Sequence, residues 1–184
     1  MGLSYFAHLQ TTRIMATKHS ADAHTQDIPD GSGKRFGIVV SEWNSEITES
    51  LLDGCRSTLE AHGVSSEDII VEHVPGSFEL PLGARILASG NKLDGIVCLG
   101  CVIKGETKHD EYISQAVANG IMQLGLMSSL PVIFGVLTPN SMEQALARAG
   151  GDLGNKGDEA AAAVLKMASL RKTHGSTKQK IGFV

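Results

Sequence analysis

The stretch Leu99-Gly100-Cys101-Val102-Ile103-Lys104-Gly105-Glu106-Thr107-Lys108-His109 decides the fold. An apolar run, Gly95 to Leu99, leads into it, and a helix-like run, Asp110 to Met127, leaves it. Strand, glycine-bearing turn and helix together make the repeating unit of a parallel α/β sheet. The turn gathers backbone N–H groups and the positive end of a helix, where an anion such as phosphate can bind. A histidine placed there, His109, can move protons near neutral pH. Gly100-x-x-x-x-Gly105-Glu106-Thr107 falls one residue short of a nucleoside-triphosphate loop. Glu106 stands where a lysine should meet the terminal phosphates, and a carboxylate there repels them, so that reading fails.

The same plan repeats on both sides of this unit. Upstream, Phe36-Gly37-Ile38-Val39-Val40 is a continuous apolar run, as expected of a strand buried on both faces. Ser45 is expected to cap the following helix, whose Ile47, Leu51, Cys55 and Leu59 form a buried stripe. Ile69 to Val74 predicts a second strand. A helix follows from near Ser77, with Pro81 in its first turns and Leu82, Ile86 and Leu87 facing inward. On the helix that follows His109, Ile113, Val117, Ile121 and Leu124 make the inner face. Downstream, Val132 to Leu137 predicts a fourth strand. Asn140 and Glu143 suggest a capping box, with Met142, Leu146 and Ala149 at helical spacing. Gly150 to Gly157 is a glycine-rich break, and an alanine-rich helix runs from about Asp158 to Lys172. The expected organisation is a polar, disordered extension over 1–33, one α/β domain over 34–172 and a polar tail over 173–184. Met15 is a conceivable alternative start.

Composition narrows the function. A chain of 184 residues can bury one good core, and its net charge of −4 argues against a general nucleic-acid surface. No apolar run reaches the ~20 residues of a membrane span. The three cysteines, Cys55, Cys98 and Cys101, are too few and odd in number for a secreted disulfide framework. Cys98-x-x-Cys101 has redox spacing, but Cys98 falls inside a strand rather than at the helix N-terminus that would stabilise a thiolate. The pair also lacks the further ligands of a structural zinc site.

In open parallel sheets ligands bind beyond the C-terminal ends of the strands. Trp43 follows the first strand, Ser77, Phe78 and Glu79 the second, and Gly105, Thr107 and His109 the third. Aromatics make up only 4% of the chain, so Trp43 and Phe78, both in polar connections, suggest a platform for a flat heterocycle. Phe134 lies inside a strand, where core packing is the default. By themselves, Arg148 and Lys156 read as solvated side chains.

Taken together, Trp43-Asn44, Val74-Pro75-Gly76-Ser77-Phe78-Glu79, the Leu99–His109 stretch, Pro131 to Thr138, and Arg148-Ala149-Gly150 followed by Gly154-Asn155-Lys156-Gly157 resemble the lumazine synthases. The likeness covers about Phe36 to Leu170. It implies a flavodoxin-like three-layer α/β/α fold with a four-stranded parallel sheet. The implied reaction is the penultimate step of riboflavin biosynthesis, a transferase reaction without metal or organic cofactor. In it, 5-amino-6-(D-ribitylamino)uracil condenses with 3,4-dihydroxy-2-butanone 4-phosphate to give 6,7-dimethyl-8-ribityllumazine, phosphate and water.

The resemblance also assigns roles. Trp43 would stack on the pyrimidinedione, with Asn44 beside it. Ser77, Phe78 and Glu79 would hold the uracil and ribityl parts, and backbone groups of Cys101, Val102 and Ile103 would read the ring edge. Gly105, Glu106 and Thr107 would meet the phosphate, Glu106 through its N–H alone. Arg148 would clamp the same phosphate, with Lys156 near it, and His109 would transfer protons. Phe134 would enter from an adjacent subunit. Many relatives carry phenylalanine at the Trp43 position and threonine or alanine at the Cys101 position. The indole suggests tighter flavin binding.

Family members form homo-pentamers, and some build a 60-mer icosahedral shell. The short Gly150–Gly157 connection suits the shell type. A cytoplasmic location and an association with riboflavin synthase are further expectations. Three other readings share parts of this pattern: a flavin or pyrimidine carrier without turnover, a flavodoxin-like electron carrier, and a shell of mainly compartmental value.

Overall fold

A computed structural model describes residues 27–175. The expectations for residues 1–26, Met15 included, and for the tail beyond Gly175 lie outside the described residues. The chain runs β1 (Phe36–Ser41), α1 (Ser45–Ala61), β2 (Ile69–Val74), α2 (Leu80–Gly90), β3 (Gly95–Cys101), α3 (His109–Ser128), β4 (Val132–Leu137), α4 (Met142–Ala147), β5 (Ala149–Gly151), β6 (Gly154–Asn155) and α5 (Lys156–His174). The first four strands form one sheet in the order β2-β1-β3-β4, and all its pairings are parallel. β5 and β6 form a separate antiparallel pair in the glycine-rich break.

Alternation along each strand divides the apolar residues between two layers, because successive side chains point to opposite faces. Phe36, Ile38 and Val40 of β1, with Val97 and Leu99 of β3, pack against Ile47, Leu51 and Leu59 of α1 and Ala161, Val164 and Leu165 of α5. Val39, Ile96 and Cys98 face the other way, onto Leu80, Ala84 and Leu87 of α2 and Val117, Ile121 and Leu124 of α3. This is the flavodoxin-like three-layer α/β/α arrangement. Cys98 and Cys101 belong to opposite layers, so they cannot bridge. Burial pushes the Cys98 thiol up to about 12 and the Cys101 thiol up to about 11, which leaves both protonated and unreactive.

Several local expectations are corrected. α1 is capped by Asn44 rather than Ser45: the Asn44 carbonyl accepts from the N–H groups of Ile47 and Thr48. Asn44 adopts a left-handed backbone (φ 59), which asparagine tolerates better than most residues. On α2 the inward residues are Leu80, Ala84 and Leu87, whereas Leu82 and Ile86 are exposed. α2 is apolar on two faces, so periodicity alone could not choose between them. The capping pair before α4 is shifted by one residue. Ser141 Oγ accepts from the Gln144 N–H, and Gln144 Oε1 accepts from the Asn140 N–H. Ala145 is the buried residue of α4, while Met142 and Leu146 are exposed and Ala149 begins β5. α5 starts at Lys156, two residues before the expected Asp158, because Asn155 Oδ1 caps it through the Gly157 N–H at 2.7 Å. Thr173 and His174 still belong to α5. The described fold also starts before residue 34: Ile28 packs on the core, and the Gly31 N–H donates to the His62 carbonyl.

Candidate active site

β1 is flanked by β2 on one side and β3 on the other, so chain order reverses there, and the crevice at its C-terminal end is where this topology binds ligands. A pocket of about 890 Å³ opens at that edge. Trp43 and Asn44 line it from the loop after β1. Gly76, Ser77, Phe78 and Glu79 come from the turn after β2, Cys101, Val102 and Ile103 from the end of β3, and His109 from the start of α3. Trp43 and Phe78 are 72% and 59% exposed, which is unusual for large aromatics in a chain with so few, and leaves their faces open to a ligand.

Side-chain hydrogen bonds to the backbone fix the loops. Asn44 Nδ2 donates to the Cys101 carbonyl at 3.0 Å and ties the Trp43 loop to the end of β3. Thr48 Oγ1 donates to the Ser41 carbonyl at 2.8 Å beneath them. Ser77 is buried beside Ser41, and a Cβ at Gly100 would lie 2.7 Å from Ser77 Oγ. Only glycine therefore lets β3 pass under the Ser77 turn. A Cβ at Gly76 would lie 3.1 Å from Glu79 Oε2 and 3.5 Å from Trp43 Cδ1, so the carboxylate and the indole converge over the bare Gly76 Cα.

Two main-chain donors of the segment after β3 are already paired. The Val102 N–H already donates to the Leu137 carbonyl at 2.8 Å, and the Lys104 N–H to the Pro139 carbonyl at 3.0 Å. Alternation along this extended segment turns the Ile103 N–H to the opposite edge, away from β4. A ring edge is therefore left with the backbone N–H and carbonyl of Ile103. Gly105, Glu106 and Thr107 form the exposed connection between Ile103 and α3. Thr107 Oγ accepts from the His109 N–H at 3.4 Å and keeps its own proton to donate.

Phe134, Arg148 and Lys156 are not among the pocket's lining residues. Phe134 sits on β4, an edge strand, and is 36% exposed rather than core. Arg148 ends α4 and lines a separate hollow of about 480 Å³ with Thr138 and Pro139. Its Nη1 donates to the Leu153 carbonyl at 2.6 Å and its Nη2 to Glu159 Oε1 at 2.7 Å. Lys156 Nζ donates to the other Glu159 oxygen at 2.9 Å.

Glu159, which sequence reasoning passed over, thus holds both cations; Lys156 lies at i, i+3 on the same helix, but the eleven-residue spacing to Arg148 signals nothing until β5 and β6 fold the chain back. Tyr112, Ile113 and Ala116 of the first turns of α3 were also missed as pocket residues. The i, i+3 spacing from His109 to Tyr112 was the available signal.

Burial pushes the Glu159 carboxyl up, but hydrogen bonds and charge from Lys156 and Arg148 outweigh it and hold it below 4.5. A lowered carboxylate contributes stability that is present above its unfolded value and lost as pH falls through its folded value. Glu159→Gln is therefore expected to lower stability near neutral pH by about 1 kcal/mol. Its melting temperature should fall less steeply than the parent's as pH drops below about 5. Parallel curves from thermal melts across that range would remove the cation knot from the stability of the fold.

Comparison with known proteins agrees with this geometry. Residues 33–172 match the family described as 6,7-dimethyl-8-ribityllumazine synthase. The protein of that name from Parabacteroides distasonis is 52% identical over 143 residues, covering 78% of this chain and 89% of the relative. That from Porphyromonas gingivalis is 49% identical over 160 residues, covering 86% and 99%. That from Cytophaga hutchinsonii is 52% identical over 145 residues, covering 79% and 91%. With a match across the whole described sheet and a pocket built from the expected loops, the chain belongs to the 6,7-dimethyl-8-ribityllumazine synthase family of enzymes.

Proposed function

We propose that this chain condenses 5-amino-6-(D-ribitylamino)uracil with 3,4-dihydroxy-2-butanone 4-phosphate to form 6,7-dimethyl-8-ribityllumazine, phosphate and water. The observation that carries this reading is the pocket itself, in which Trp43, Phe78, Glu79, Ile103 and His109 come together from separate loops at one sheet edge. The pyrimidinedione stacks on Trp43, and its edge meets the backbone N–H and carbonyl of Ile103. Glu79 accepts from ribityl hydroxyls beside Ser77 and Phe78. Imine formation, phosphate loss, ring closure and dehydration all require proton transfers between positioned groups, and His109 at the pocket wall supplies them. The α3 N-terminus, with Gly105, Glu106 and Thr107 before it, receives the phosphate.

The site is completed by a second subunit, which presents Phe134, Arg148 and Lys156. Two observations support this. Within one chain these residues stand outside the pocket, on or beyond the edge strand β4. In addition, Leu82 and Ile86 on α2 and Met122, Leu126 and Met127 on α3 leave one helical layer with exposed apolar side chains suited to burial between subunits. The assembly is a pentamer that packs into an icosahedral shell in the cytoplasm, where riboflavin synthase is a candidate partner.

The test is a turnover assay that follows the fluorescent lumazine against the uncatalysed background. The parent protein should exceed the background clearly, and Trp43→Ala should raise the KM for the pyrimidine about tenfold through lost stacking. A parent rate equal to the background, with flavin still bound, would leave a carrier and overturn the assignment.

A further inference from the structure

A second cleft, of about 500 Å³, lies at the opposite end of the sheet. Arg35 reaches it from the start of β1, Lys92 from the segment before β3, and Arg171 and Lys172 from the last turns of α5. The strands are parallel, so this N-terminal edge is separated from the Trp43 pocket by a strand length, about 20 Å. Arg35, Lys92, Arg171 and Lys172 line it with one carboxylate, Asp94, and Arg35 also pairs with Asp68 behind it. Asp94 is held against the backbone: its Oδ2 accepts from the Arg35 main-chain N–H at 2.9 Å.

Basic residues in a last helical turn ordinarily complement the exposed carbonyls of the helix end. That accounts for Arg171 and Lys172. It does not account for Arg35 and Lys92, which come from two other segments. The frame around the cleft is ordered. The Asp94 N–H donates to the Arg35 carbonyl at 2.7 Å, Leu93 and Ala168 are buried, and Arg171 Nη1 reaches the Leu93 carbonyl at 3.4 Å. Arg35 Nε meets Asp68 at 3.2 Å, an exposed pair that leaves its terminal nitrogens for another acceptor.

We propose that this cleft binds a compact, multiply charged anion, a phosphorylated small molecule or a pyrophosphate-like group, independently of the active-site pocket. Its volume falls in the range of small-ligand sites. Its lining holds guanidinium and ammonium donors but no aromatic ring on which a nucleobase could stack, so the charged group is what is recognised.

Pyrophosphate is the probe, titrated calorimetrically into the parent, into Arg148→Ala and into Lys92→Glu. Lys92 is exposed, so its substitution should leave the fold and turnover unchanged. The expected result is a class of sites that survives in Arg148→Ala, weakens as salt is raised, and loses about tenfold in affinity in Lys92→Glu. No binding by Arg148→Ala, or binding by Lys92→Glu equal to the parent's, would overturn the proposal. Because both readouts are of binding, neither depends on whether the chain turns over its substrates.

Discussion

Arg148→Ala is expected to lower kcat/KM by roughly 100-fold or more, chiefly through the KM of the phosphorylated ketone, with the pyrimidine KM little changed. The guanidinium offers two parallel donors to a phosphate, each charge-assisted bond worth about 1.5–3 kcal/mol, and 100-fold corresponds to about 2.7 kcal/mol. It is also held ready. Nη1 is anchored on the Leu153 carbonyl and Nη2 on Glu159, so little side-chain freedom remains to be lost when phosphate arrives. Arg148→Lys keeps the charge but not the fork, and should fall between parent and alanine variant, about tenfold below the parent. Steady-state rates with each substrate varied in turn make the measurement, and circular dichroism checks that the variants fold. An alanine variant with parental ketone KM would take Arg148 out of the site.

Gly157→Ala should be the most damaging single methyl in the described chain. A Cβ at Gly157 would lie 1.9 Å from the Leu51 carbonyl oxygen. That oxygen is backbone in the middle of α1 and cannot swing aside. Relief requires α1 and α5 to separate, which breaks the 2.8 Å hydrogen bond from Asn155 Nδ2 to the Ser50 carbonyl and loosens Leu51 against Ala161 and Leu165. The expected destabilisation is about 3–5 kcal/mol, or a fall in melting temperature of about 10 °C or more. The same first turn of α5 carries Lys156 and Glu159, so any variant that folds should also lose turnover. Gly105→Ala is the control, because a Cβ there meets nothing within 4 Å. Thermal melts decide the matter: equal midpoints for the two variants would mean that the close approach of α1 and α5 is not real.

Much of the site was legible because its pieces are local. Trp43-Asn44, Ser77-Phe78-Glu79 and the Cys101–His109 turn each follow a strand directly. Once the units were read as parallel strands, all three had to lie at the same edge. Other features depend on partners far along the chain. Asn44 caps α1 and bonds the Cys101 carbonyl 57 residues away. Val102 looks like a free backbone donor until β4 arrives beside it and its N–H is taken by Leu137.

The sequence by itself determined the strand–helix alternation, the three-layer class, the family, and the loops that form the pocket. Each of these is written in periodicities and motifs that span a few neighbouring residues. Only the tertiary structure decided which face of α2 is buried, that Arg148 and Lys156 stand outside the pocket and share Glu159, and that four cations from three segments meet at the N-terminal edge. Those outcomes turn on which distant segments come into contact, and a covered apolar face and an open one carry the same pattern in the chain.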